Sequence, residues 1–371
     1  MPLPSSEIKW FPAQAFVIGL EAMQCHQPPK AIRNVQTELD SICIEEHVIP
    51  LTRNLHEYNN SYVCSPYTAY IRYARDELGL IDNQALRLGL RALITLASGL
   101  LRLGQINQTL SINNWLFSTN IVPNWQAESV RQFTQQLASK NPTHSLSIRS
   151  LNQETNAELM QILTANGWQL LPARQVYLFL QGGQAWWKKN NVQNDQRLLR
   201  KTEFTLIQPI EHNSPDFEAI ETCFNQLFIE KHSTLNPQFS AEYFEFLHNH
   251  KLVEFFSFRN AEGRIIASIG LFTQHGLITA PILGYDTDLP QKLGLYRLLI
   301  AILLKETHHR QQSLNLSSGA GDFKRQRGGK PVVEYTALYT NHLPWLTRII
   351  LKSFSKLLNK FAPEFLQKHQ L

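Results

Sequence analysis

Apolar positions recur along this chain with two periods, one helical and one alternating. From residue 65 the spacing is helical, with Tyr67, Tyr70, Ile71 and Ala74 on one side. Residues 83–104 predict a longer helix, with Leu86, Leu90, Leu93, Ile94, Ala97, Leu100 and Leu101 on one face and Gly104 as its stop. A buried strand is predicted over 109–116, a helix over 130–138, a strand over 145–150, a helix over 152–166 and a strand over 168–180. A polar stretch at 187–201 then interrupts the pattern and reads as a boundary between two units. Beyond it the order repeats. Strand 204–210 is followed by helices 216–231 and 241–249, then by strand 253–259. Strands 264–273 and 277–285 flank a His275-Gly276 turn, helix 295–309 follows, and strands 313–317 and 332–340 enclose a glycine-rich basic loop. Residues 1–60 carry no strong period, and Gln27-Pro28-Pro29-Lys30 interrupts them further.

The expected architecture is therefore α/β (α+β) in two tandem units, 61–195 and 196–343. An extension of unclear structure, 1–60, precedes them, and an amphipathic segment, 344–371, follows. That last segment sets Leu346, Ile349, Phe354, Leu358 and Phe361 against Arg348, Lys352, Lys356 and Lys360. It reads as a helix packed on the body or as one resting peripherally on a membrane.

Composition narrows the function classes. Of 371 residues 43% are apolar and 18% charged, which is globular and not disordered. A net charge of +5 favours an anionic partner but lacks the dense Lys/Arg stripes of a dedicated nucleic-acid binder; a phosphorylated co-substrate suffices to account for it. Cys25, Cys43, Cys64 and Cys223 form no CxxC pair, so a reducing, cytoplasmic setting is expected. The N-terminal residues lack the early positive charge of a signal peptide, and no apolar run of membrane-spanning length occurs. Thirteen histidines include no HExxH, so no metal is expected, and no Gly-x-Ser-x-Gly elbow is present.

Candidate chemistry concentrates between Gly263 and Tyr339. A strand ends at Leu283-Gly284-Tyr285-Asp286, and Gln291-x-x-Gly294 leads into the helix that begins near Leu295. Free N–H groups and partial positive charge at a helix start suit a pyrophosphate. Gly319-Ala320-Gly321 frees further amides, with Lys324, Arg325 and Arg327 close behind.

Gln291-x-x-Gly294 resembles the Gln/Arg-x-x-Gly-x-Gly/Ala loop with which GNAT-superfamily acyltransferases hold coenzyme A, although Tyr296 stands at the last small position. Asp322-Phe323-Lys324 with Gly328 resembles the ending of FemAB-like and BioF2-like acyltransferases, which are often two GNAT-type folds in tandem. The resemblance implies two GNAT-like domains, each a mixed, mainly antiparallel sheet flanked by helices. It implies an N-acyltransferase that uses an acyl thioester such as acyl-CoA and a small-molecule or peptide amine as acceptor. Leu283, Gly284, Tyr285, Gln291, Gly294, Tyr296, Gly319, Lys324 and Arg327 would then face the donor. Asp286 is the candidate base, or only the cap of the next turn; Glu334 is an acid in apolar company, or an outward-facing strand residue. Tyr335 and Tyr339 are candidate proton donors or packing tyrosines. On the acceptor side stand Asn114, Asn120, Arg149, Arg174 and Lys231, which read equally as turn fasteners and salt-bridge partners. Two other functions fit the same residues: a transferase that draws on aminoacyl-tRNA, and a non-catalytic membrane-associated binding module.

Overall fold

The computed structural model describes residues 11–26, 30–181 and 185–369. The expected break at Gln27-Pro28-Pro29, the first ten residues and the last two lie outside the described residues. The chain begins with helix α1 (Phe11–Gln24) and a hairpin, β1 (Glu38–Ile44) and β2 (His47–Asn54). A π-helical turn, Thr68–Arg72, runs into α2 (Tyr73–Glu77), and α3 (Gln84–Leu103) follows. The rest of the first half is β3 (Thr109–Ile112), α4 (Ala127–Lys140), β4 (Ser145–Asn152), α5 (Ala157–Ala165) and β5 (Gln169–Phe179). Then come α6 (Asn190–Lys201), β6 (Thr205–Ile207), α7 (Ser214–Phe224), a π-helical stretch Asn225–His232 and α8 (Ala241–Asn249). The chain closes with β7 (Glu254–Arg259), β8 (Ile265–Gln274), β9 (Leu277–Tyr285), α9 (Leu295–His309), β10 (Ser313–Asn315), α10 (Gly321–Gln326), β11 (Lys330–Tyr339) and α11 (Trp345–His369).

The eleven strands among the described residues form one sheet in the order β1-β2-β3-β4-β11-β5-β10-β9-β8-β7-β6. Among the described residues only β3 with β4 and β9 with β10 pair in parallel, each pair joined through a helix, as parallel neighbours require. The order is symmetric about the boundary between β11 and β5: β4 answers β10, β3 answers β9 and β2 answers β8. The two halves therefore share a plan, and each sends its last strand into the other's territory. β11 lies between β4 and β5, and β5 lies between β11 and β10.

Several local expectations change. Residues 38–54, unassigned from sequence, extend the first half's sheet as a hairpin. The polar stretch 187–201 is largely helix α6, which buries only Val192, Asp195 and Gln196 against α9 and so carries a weak apolar signal. Strand 109–116 stops at Ile112, because Asn113 and Leu116 both take a left-handed backbone, φ 58°. Helix α3 departs most. Leu101 and Ser98 are buried, whereas Leu86, Leu93 and Leu100 of its expected core face are exposed.

Candidate active site

In the second half the sheet opens between β9 and β10. Strand β10 pairs with β9 only where Ser313, Leu314 and Asn315 meet Leu277, Ile278 and Thr279. It then stays with β5, through Leu316 N–H to the Tyr177 carbonyl (2.9 Å) and Tyr177 N–H to the Ser317 carbonyl (3.2 Å). Residues 280–285 of β9 thus lose their neighbour on that side while keeping β8 on the other. The Asp286 N–H points to the Ile266 carbonyl on β8 at 2.8 Å, so strand alternation turns the N–H groups of Leu283 and Tyr285 into the gap. Backbone polar groups inside a sheet require partners, and a ligand with amide groups can supply them as an extra strand would. Gly284 serves packing on one face: a Cβ there would sit 2.4 Å from the backbone of Cys223 and Phe224 at the end of α7.

The expected donor loop borders this gap. Gly294 takes φ 69° and opens α9, and Tyr296 on its first turn lies 4.9 Å from the Phe323 ring on α10. The helix start and the basic loop therefore meet. Tyr285, Leu293 and Tyr296 give this mouth an aromatic and apolar lining, and burial pushes the Tyr296 phenol up to about 12. The cations, however, are engaged within the chain. Lys324 is buried and donates to the carbonyls of Leu316 (2.7 Å), Ser317 (3.3 Å) and Ser318 (2.7 Å). Burial presses its pKa down to about 7, while three carbonyls around one amine suit its charged form. Arg327 bonds the fully buried Asp195 of α6 at 2.6 Å, Arg297 takes the other Asp195 oxygen at 2.8 Å, and Arg325 pairs with Asp322. Lys324 and Arg327, expected at the donor's phosphates, hold the loop in place instead. Gly319 (φ 78°) and Gln291 are exposed at the rim.

A polar cluster lies where the halves join. Glu334 on β11 is directly opposite Arg174 on β5 and is buried, not outward-facing; Arg174 Nε donates to its Oε1 at 2.8 Å. Arg174 Nη2 also reaches the Ser118 carbonyl (2.5 Å) and Thr119 Oγ1 (2.9 Å). Arg149 on β4 donates to the Val63 carbonyl at 2.6 Å and lies over the Tyr62 ring. Helix α2 lies close enough to Arg174 for its Tyr73 and Glu77 to feel the guanidinium charge. Burial raises the Glu77 carboxyl to about 7, against the pull of Arg174, and burial also raises the Tyr73 phenol. Asp76 accepts from Ser233 Oγ at 2.9 Å, which ties this end of α2 to the second half. Arg174 stands three residues before Tyr177 on β5, the residue that holds Leu316 and Ser317 past the end of β10, so the cluster adjoins the gap.

The remaining candidates scatter. Asp286 pairs with Arg264 at 2.7 Å and accepts the Asp288 N–H, which makes it the cap of its turn. Tyr335 and Tyr339 pack against the α4–α5 core with Trp168, whereas Glu334 is buried against Arg174. Asn114 and Asn120 fasten a buried loop: Asn114 bonds Thr52 Oγ1 and the Val63 carbonyl, and Asn120 bonds the Trp115 N–H. Lys231 is exposed at the end of the π-helical stretch. Sequence reasoning missed Glu77, Tyr73 and Tyr62. The available signal was Tyr70, Tyr73 and Glu77 at helical spacing, a face with polar tips where a core helix would carry aliphatics. Among the described residues no group of three or more His, Cys, Asp or Glu side chains is placed to hold a metal ion.

No protein-family model matches the sequence, and no curated protein matches it. Solved structures similar to it include L-PGS from Bacillus licheniformis, at 14% identity over 62% of this chain and 78% of that one, with a TM-score of 0.44. FemX is similar at 9% identity over 57% and 77%, TM-score 0.45. A tandem GNAT protein from the clavulanic acid biosynthesis pathway is similar at 11% identity over 62% and 75%, TM-score 0.36.

Proposed function

We propose that this protein is an acyltransferase that moves an acyl group from an activated donor, an acyl thioester such as acyl-CoA, onto an amine held between its halves. The observation that carries the reading is the parting of β10 from β9, which leaves the inner edge of 280–285 unpaired beside a polar cluster. The donor's amide-bearing arm lies along that edge. Its carbonyl receives an N–H from Leu283 or Tyr285, which stabilises the negative oxygen of the tetrahedral intermediate. The amine sits toward Arg149, Arg174 and Glu77. Glu77, with a pKa near 7, takes the proton as the N–C bond forms and the C–S bond breaks; the sulfur leaves as a thiolate and is protonated from solvent. The base role expected of Asp286 passes to Glu77, because Asp286 is held by Arg264 and its own turn. Glu334 orients Arg174. The two arginines suit an acceptor that carries an anionic group besides its amine. The buried, free thiols of Cys64 and Cys223 suit a reducing compartment such as the cytoplasm.

A second reading rests on the engaged cations. With Lys324, Arg325 and Arg327 bonded internally, a diphosphate has backbone amides and exposed Lys292 to meet at the α9 start. An aminoacyl-tRNA, whose phosphates spread over a wide surface, would rely less on that point. Amide hydrogen exchange tests the main reading. Leu283 and Tyr285 should exchange far faster than Ile282 and Gly284, and should become protected when acyl-CoA is added. Protection of Leu283 and Tyr285 equal to that of Ile282 and Gly284 in the free protein would defeat it. A salt titration separates the donors, because tRNA binding falls steeply with salt and CoA binding much less.

A further inference from the structure

We infer that α3 and α11 together form a docking surface for an anionic lipid bilayer. This goes beyond the acyltransferase reading and does not depend on it. Among the described residues, large exposed hydrophobics concentrate on these two helices. Leu86, Leu88, Leu93, Leu96, Leu100 and Leu103 of α3 are exposed, as are Trp345, Ile349, Leu357 and Phe361 of α11. The helices touch each other, with Ile94, Ala97 and Leu101 meeting Leu351, Phe354 and Leu358 in one core. Their outer flanks therefore form a continuous patch, of the kind a water-facing protein rarely leaves uncovered.

Charge identifies the occupant. Helix α3 carries Arg87, Arg91 and Arg102 and no acidic residue. Helix α11 carries Arg348, Lys352, Lys356 and Lys360, with Glu364 as its only acid. None of these seven cations joins an ion pair among the described residues. A second copy laid on this face would set cation against cation. Leucines and a tryptophan interleaved with basic residues on helices lying side by side match the interface of an anionic membrane. No described helix is long and apolar enough to cross one, so the helices lie in its surface.

Co-sedimentation of the full chain with vesicles tests this. Binding is expected to phosphatidylcholine mixed with phosphatidylglycerol, and to fall at least about a hundredfold on phosphatidylcholine alone, since each cation near the surface contributes roughly fivefold and about three of the seven at the surface suffice. Leu88→Asp with Leu96→Asp should reduce binding at least about tenfold, because a charge then sits on the inserted face. These side chains are 66% and 65% exposed, so the variant should keep the parent circular dichroism and melting temperature. Lys352→Glu with Lys356→Glu should weaken binding to the mixed vesicles and leave binding to neutral vesicles unchanged. Failure to sediment with mixed vesicles, equal sedimentation of the leucine variant, or a dimer in ultracentrifugation that the leucine variant dissolves would each overturn the inference.

Discussion

The two halves reach the same junction and treat it differently. In each, a short parallel pair gives way after three or four residues, β3 from β4 in the first half and β9 from β10 in the second. In the first half the chain beyond β3 fills the space itself. Residues 113–122 fold back nearly fully buried, with Trp115 and Phe117 packed on Phe272 and the Asn120 N–H on Ser150. In the second half β9 runs on to Tyr285 with its inner edge unmatched. One plan has thus become a structural joint on one side and a candidate donor site on the other. Asparagine side chains supply in the first junction the hydrogen bonds that a bound ligand would supply in the second.

That contrast can be broken by experiment. The largest effect belongs to the filled junction: Phe117→Ala should cost about 3–5 kcal/mol in urea unfolding, as expected for a fully buried aromatic. If it costs under about 1 kcal/mol, the loop is not a plug. In the open junction, Glu77→Gln should lower kcat by about 10²-fold or more, with the melting temperature unchanged only below pH 4.5, where the parent carboxyl is protonated. The parent rate should rise with pH through about 7, and that limb should vanish in the variant. Stability offers a companion sign test. The Glu77 pKa is raised from 4.5 to about 7 in the folded state, so its contribution is fully present below 4.5 and is lost as pH rises through 7. Relative to Glu77→Gln, the parent should therefore lose stability across that window. Next in size, Asn114→Ala should cost about 1–3 kcal/mol by removing the partners of Thr52 Oγ1 and the Leu116 N–H and one of two donors to the Val63 carbonyl, with no change in donor affinity. The smallest effect is expected for Asp286→Asn. Its partner Arg264 is 57% exposed, so the loss should stay under about 1 kcal/mol and kcat/KM should hold. A hundredfold loss of rate there would return the base to the end of β9.

Legibility in the sequence tracked locality. Strand Leu277–Tyr285 and helix Leu295–His309 could be read to the residue, because their periods are clean and His275-Gly276 supplies the left-handed pair of a tight turn. The β1–β2 hairpin escaped because its turn is Glu45-Glu46, with Glu45 at φ 55° and no glycine or asparagine to mark it. Helix α6 escaped because its main buried anchor is a carboxylate, Asp195, whose two arginines come from α9 and the end of α10. The polar cluster could not be assembled at all. Glu77, Arg149, Arg174 and Glu334 come from four distant parts of the chain, and no local pattern says which strand will lie beside which.

The exchange of β5 and β11 has a consequence for how the chain is made. A ribosome releases β4 and β5 long before β11, and neither the seat beside β4 nor the far side of β5 is complete until the penultimate element emerges. Half the protein must wait with a vacant slot in the middle of its sheet, exposed to stray pairing. Neither fragment of a chain cut between α6 and β6 should hold shape by itself, while the two expressed together should find each other.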